Sequence, residues 1–479
     1  MNKIYYFILP ICILWSACND FLEYKDNDKI IPKELSHYNE LVYGELIYKT
    51  KGDEMLSLQL MTDEAESVVE PLSSSWRRDG RIPQINHFTW AVEPLIDPSG
   101  EEQDDNSWSF FYHKILMCNI VEHALKDFED DTEGVKKRLL GEVSFLRAMS
   151  YYYLVNLYGE PYKNKEQART ALGVPINSAI SIEVETYTRS TLQEVYNLIE
   201  TDLLNALNFL SQGEKINSKF RPNIAVSRLF LSRVYLYQKE WEKARQVCND
   251  LIGSGVASIS TLEQLTNYNT NDKPLYNDKN SSILYSWGTR YEYPFKNNSD
   301  AGHWKVSTTL RNMYVAEDIR GKAFFSKVRP FYPYKYYTSG RTCYDWSYRI
   351  EEAFLNRAEA CIELGGEKNL QQALEDINSI RQQRIDKEDY KVDVTQMSGA
   401  LELLRNEKKM EFCFEDTQWF DIRRWEIEIT HEVQDINNPM LITKYVLKAG
   451  SPNYFLSLPL EVSRINPKIE KFTRIETLK

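Results

Sequence analysis

Long apolar runs are the first thing missing. Beyond Cys18 no stretch reaches the roughly 18 consecutive apolar residues that a membrane-spanning helix needs. Basic charge is short too: 58 Lys and Arg stand against 70 Asp and Glu, a net of −12. Such a chain lacks the cationic surface that holds a phosphate backbone, so nucleic acid is not an expected partner. Histidine is scarce, and His431-Glu432 has no second His four residues on, so the helical zinc-protease pattern fails. The seven cysteines include no C-x-x-C pair, and Cys12 and Cys18 belong to the N-terminal segment. The other five, an odd number, argue against a zinc site and a disulfide scaffold. Cys118, Cys248 and Cys361 fall in apolar helical patterns and read as buried thiols. No G-x-S-x-G, P-loop or G-x-G-x-x-G is present, so neither a nucleophile elbow nor a nucleotide fold is supported. The acidic run from Asp97 to Asn106 lacks EF-hand spacing and reads as a solvated loop. No metal, cofactor or catalytic residue is expected.

What is plentiful is aromatic: 13% of the 479 residues, with 31 Tyr and 10 Trp. Such rings serve helix packing and ligand stacking alike. At the N-terminus, Lys3 followed by the apolar Ile4–Leu14 and the small Ser16-Ala17 before Cys18 reads as an export signal over 1–17. Small residues before a cysteine fit a bacterial lipobox, whose type implies acylation of Cys18, although Trp15 stands where Leu is usual. The polar, acidic residues 18–32 then suit a tether.

From 33 to 479 a single body is expected. Leu139, Val143, Leu146, Ser150, Tyr153 and Leu157 step by four and three, as do Leu192, Tyr196, Ile199, Leu203, Ala206 and Leu210. Each makes one helical stripe, with an N-cap offered within Thr188–Thr191. Ala225 to Leu236 and Trp241 to Leu251, anchored on Ala244 and Cys248, line up with a tetratricopeptide repeat. The spacing predicts helix pairs around 33–50 with 107–128, 139–158 with 188–211, 224–252, and 351–385, the last turning at Gly365-Gly366. Such pairs must stack to bury both faces. Insertions 66–106 and 254–349 lack helix periodicity, and a C-terminal segment runs from 400 to 479.

Five blocks in order resemble the SusD/RagB family of Bacteroidetes outer-membrane lipoproteins. They are Glu142 through Arg147 to Tyr153 with Leu157-Tyr-Gly159; Gly173-Val-Pro175; Thr188 to Tyr196; Arg349-Ile-Glu351 with Asn356 to Ala360; and Glu407 to Glu411 with Trp419-Phe-Asp421-Ile-Arg423-Arg-Trp425. Lys408 and Lys409 depart from the family's commoner Arg. The resemblance implies a mainly α fold of about four tetratricopeptide-like helix pairs with an irregular insertion-built face. It implies a surface-exposed, lipid-anchored protein of the outer membrane that caps a SusC-like TonB-dependent transporter and binds oligosaccharide without catalysis. A peptide-binding relative, or a scaffold subunit without a ligand, is the alternative.

The Trp-Phe-Asp-x-Arg-Arg-Trp block reads as structural, its Arg and Asp pairing with helix ends or each other, and so do Arg147 and Glu142. Sugar binding asks instead for rings that lie flat on C–H patches, flanked by hydroxyl partners. Trp108, Trp241, Trp419 and Trp425 lie in helix patterns and are assigned to the core. Two clusters in the irregular insertions remain: Trp76, Arg77 and Asp79, and Trp287, Tyr291, Tyr293, Asn298, Asp300, His303 and Trp304. These are the expected ligand-binding residues, with Cys18 as the lipidation site.

Overall fold

The computed structural model describes residues 32–48, 57–67, 82–103, 105–128, 134–181, 187–267, 280–287, 304–325, 346–435, 438 and 440–477. In chain order its elements begin with α1 (Leu35–Leu41), continued by a π-helical turn over Val42–Tyr48, α2 (Ser57–Met61), β1 (Ala65–Ser67) and α3 (Ile82–Phe88). Then come α4 (Ser107–Leu125), α5 (Val135–Tyr158), α6 (Lys165–Ala168), α7 (Leu192–Gln212), α8 (Ile224–Tyr237) and α9 (Trp241–Gly253). The second insertion contributes α10 (Leu262–Asn267), β2 (Ile283–Trp287), β3 (Trp304–Val306), α11 (Thr308–Arg311), α12 (Arg320–Ala323) and β4 (Trp346–Arg349). The chain closes with α13 (Ile350–Leu364), α14 (Glu367–Gln382), α15 (Met397–Glu411), α16 (Thr417–Trp425), β5 (Ile429–Gln434), β6 (Ile442–Leu447) and α17 (Leu460–Ile465).

The helix boundaries follow local chemistry. Thr191 closes a reciprocal capping box with Glu194 at the start of α7, and Asn223 caps α8 through the Val226 N–H. Gly365 and Gly366, at φ +74° and +87°, turn α13 into α14, a conformation that costs glycine little. The hairpins then line up. α4 packs on the α1 segment and on α5, α5 on α7, α7 on α8, α8 on α9, α9 on α13, and α13 on α14, with α15 closing the row. The fold is therefore mainly α, with helix pairs in a row as in tetratricopeptide arrays.

α5 is buried on nearly every side, which explains why its pattern is so rich in rings. Tyr152, Tyr153 and Phe145 meet Phe230 of α8 edge-on at centroid distances of 5.5, 6.4 and 5.3 Å. The Tyr153 hydroxyl also lies 2.8 Å from that of Tyr348 in β4. At the α5–α7 crossing, a Cβ on Gly141 would sit 2.6 Å from Leu210 Cγ and 3.0 Å from its backbone nitrogen. Helix propensity alone favours alanine there, by up to about 1 kcal/mol. Because the close approach opposes it, Gly141→Ala is expected to destabilise the fold by about 1–2 kcal/mol, read as a lower urea midpoint.

Among the described residues the strands pair in three two-stranded antiparallel ladders, β1–β3 and β2–β4 involving the insertions and β5–β6 in the C-terminal segment. β1–β3 joins the two insertions, with Ala65 opposite Val306 and Ser67 opposite Trp304. A second core forms beneath it from Leu60, Phe88, Ile283, Trp304, Leu310, Phe324 and Phe414. No described helix is long and apolar enough to cross a membrane.

Candidate functional site

The expected ligand residues divide three ways. Trp76, Arg77, Asp79, Tyr291, Tyr293, Asn298, Asp300 and His303 lie outside the described residues, as does Cys18. The strand rung Ser67↔Trp304 pairs the stems of the two insertions; in sequence, Trp76 follows Ser67 by nine residues and His303 immediately precedes Trp304.

Trp287 and Trp304 differ from expectation, because both are core residues, each 2% exposed. Trp287 ends β2, where all five residues are buried, and its indole N–H donates to Leu46 O at 3.3 Å. Its ring lies beside Phe110, with Lys114 Nζ 5.6 Å from the ring centroid. Trp304 opens β3 and donates from Nε1 to Gln84 Oε1 at 2.9 Å. Phe88, 4.6 Å from Trp304, stacks on His431, which stacks in turn on the buried Trp90. The physical reason is pairing. A segment without helical periodicity reads as an open loop, but Trp287 ends one short strand and Trp304 opens another, and each strand covers a core.

The motif blocks are scaffold. Glu411 of α15 takes Arg349 Nη1 at 2.7 Å, Arg384 Nε and Nη2 at 2.9 Å, and Arg320 Nη1 at 3.2 Å, all fully out of solvent. Burial pushes its carboxyl up, yet those guanidiniums outweigh that and hold it well below the usual carboxylate range. Arg423 donates to Gly159 O at 2.7 Å and to Asn156 O, the C-terminal end of α5. Arg424 pairs with Asp421 at 2.7 Å and with Glu359. Arg147 pairs with Asp202 at 2.7 Å, and Glu142 with Arg138 at 3.1 Å. The acidic loop is also self-contained: Asp97 accepts the Ser99 and Glu101 backbone N–H groups at 2.8 and 3.0 Å. Among the described residues no group of three or more His, Cys, Asp or Glu could hold a metal ion.

One well-formed opening was not anticipated. A cavity of about 550 Å³ lies where the α8–α9 turn, α13, α15, the end of α16 and residues 161–164 converge. Its walls include Trp241, Trp425, Arg405, Lys239 and Glu363. Trp241 and Trp425 obey helix spacing, which is why they read as core, yet both remain partly exposed. Trp425 is clasped by Arg424 and Arg405, 4.4 and 4.9 Å from its ring centroid, and donates Nε1 to Glu359 at 3.1 Å. Burial and the neighbouring Glu359 raise the Glu363 carboxyl, against Arg405, Arg424 and Lys239.

Comparison with known proteins agrees with this architecture. Residues 20–236 match a family model described as starch-binding, associating with outer membrane, and residues 239–452 match the SusD family model. A SusD superfamily protein from Bacteroides fragilis superposes with a TM-score of 0.73 at 18% identity, over 91% of this chain and 98% of that one. A putative sugar binding protein from Bacteroides vulgatus gives 0.69 at 20%, over 92% and 99%. By sequence, SusD-like protein P25 of Formosa agariphila is 21% identical over 59% of this chain, and the match spans 50% of that relative's length. Starch-binding protein SusD of Bacteroides thetaiotaomicron is 26% identical over 40% of this chain and 31% of its own. The chain belongs to the SusD/RagB family.

Proposed function

We propose that the protein is a cell-surface lipoprotein of the outer membrane, acylated at Cys18, that captures an oligosaccharide and delivers it to a SusC-like TonB-dependent transporter. It acts by binding and leaves the glycan's bonds intact. The observation that supports this reading is the β1–β3 rung, which pairs the stems of the two insertions whose sequences carry the ring-and-hydroxyl clusters, on a SusD-type frame. With Trp287 and Trp304 in the core, the contact residues are assigned to Trp76, Arg77, Asp79, Tyr291, Tyr293, Asn298, Asp300 and His303.

Affinity electrophoresis or calorimetry against a glycan panel tests it. One glycan should be retained, and Trp76→Ala should weaken that retention by about 10-fold or more, one ring contact being worth roughly 1.4 kcal/mol. The melting temperature should move by less than about 3 °C, as for surface substitutions generally. Binding of mixed peptides with no glycan retained would replace glycan by peptide as the cargo. Turnover of any polymer by the pure protein would refute capture without catalysis.

A further inference from the structure

The cavity beside Trp425 lies on the helical side of the molecule, built from the α8–α9 turn, α13, α15 and α16, none of which belongs to the two insertions. Its size falls within the range of small-molecule sites, roughly 300–1,000 Å³. In a chain of net charge −12 its lining is basic, with five Lys and Arg against three Glu. Most of that charge is spent internally. Arg423 holds the end of α5, Arg424 is bound to Glu359 and Asp421, and Lys163 pairs with Glu426 at 2.9 Å.

Arg405 is different. Its guanidinium lies against the Trp425 indole, and it has no hydrogen bond or ion pair within the described residues; its Nε is buried without a partner. Stacking occupies the face of a guanidinium and leaves its N–H edge, whose fork geometry matches a planar carboxylate. Lys239, from the α8–α9 turn, adds a second cation that makes no ion pair among the described residues, and the cavity's own Glu363 is the carboxylate that both it and Arg405 act on. It holds φ +58°, where glycine would cost less, and Glu426 across the cavity holds φ +52°. Side chains kept at strained backbone positions cluster at binding sites. Trp241 supplies a partly exposed ring, and Asn164, whose side-chain oxygen caps α6 at 2.9 Å, keeps an amide group to donate.

From these observations we infer that the cavity is a second ligand site, separate from the insertion face, that takes a carboxylate-bearing sugar unit: a uronate gripped by Arg405 and Lys239 with its ring against Trp241. The choice of a saccharide rests on the capture reading; the anion preference rests on the cavity alone.

Calorimetry with glucuronate- and galacturonate-containing trisaccharides, each beside its carboxyl-reduced neutral counterpart, tests the inference. A uronate trimer should bind, and its neutral counterpart should bind about 10-fold more weakly, as should the uronate to Arg405→Gln. Lys239→Asn, which tolerates the left-handed backbone, should weaken it by about 3-fold. Arg405→Gln should leave retention of the neutral glycan through the insertion face unchanged, which separates this site from the insertion-face test. Equal affinity for acid and neutral forms, binding indifferent to Arg405→Gln in a folded variant, no uronate binding, or capture of Asp- and Glu-rich peptides instead would each overturn it, and none of these bears on glycan retention through Trp76.

Discussion

Glu411→Ala is expected to lower the free energy of unfolding by about 3–5 kcal/mol, because it leaves three buried guanidiniums facing one another without their shared anion. Arg320 would keep Asp318 and Glu407, and Arg384 would keep Glu351, but Arg349 would be left with Glu415 as its main partner. The cluster joins α12, β4, α13, the turn after α14 and α15, so the loss should appear as one cooperative shift of the urea midpoint rather than local fraying. The same carboxylate carries a pH signature. Its folded pKa lies well below the ordinary 4.5, so the unfolded chain takes up a proton there that the native state refuses. Its contribution is therefore complete above pH 4.5 and is lost progressively as the pH falls below that value. Unfolding titrations between pH 7 and pH 3 read this as a midpoint that holds steady and then drops; roughly pH 4–5 marks the turn. An unchanged midpoint in Glu411→Ala would show that the cluster is held by its other pairs.

Trp287→Ala is the second large effect. An exposed loop tryptophan contributes little to stability, and the sequence places Trp287 in such a segment. The structure buries it against Leu46, Phe110 and Lys114, so truncation opens a cavity in the main core. A loss of about 3–5 kcal/mol is expected, with any fall in glycan binding following the folded fraction instead of a lost contact. Chemical denaturation paired with binding at a temperature where the variant is folded distinguishes the two. Weakened binding at full stability would return Trp287 to the ligand.

Why the sequence reveals one Trp correctly and misplaces another is a matter of what periodicity encodes. The stripes of α5 and α7, the cap at Thr191 and the Gly365-Gly366 turn are local, so the helix pairs were legible. The Trp419 to Trp425 block was also legible as scaffold, since Asp421 and Arg424 sit three apart on one helix and do pair. Strands of three residues leave almost no pattern. β1 and β3 find each other across 237 positions from Ser67 to Trp304, and nothing near either residue announces the other. Trp304 therefore reads as loop from its sequence. The opposite error struck Trp241 and Trp425. Helical spacing says which way a side chain points, but whether another element arrives to cover it depends on the hairpin stacking. Here the row leaves a gap where five segments meet, and Arg405, from a third helix, enters it.

The Ser67–Trp304 rung has a consequence for how cargo preference can be altered. Two excursions clipped together at their stems are not independent modules. Grafting just one from a relative would force a foreign stem onto an unaltered mate, so the register of both would be at stake. Transplants of preference should succeed when the two are exchanged as a matched couple, stems included, and should misfold or lose retention when they are moved singly.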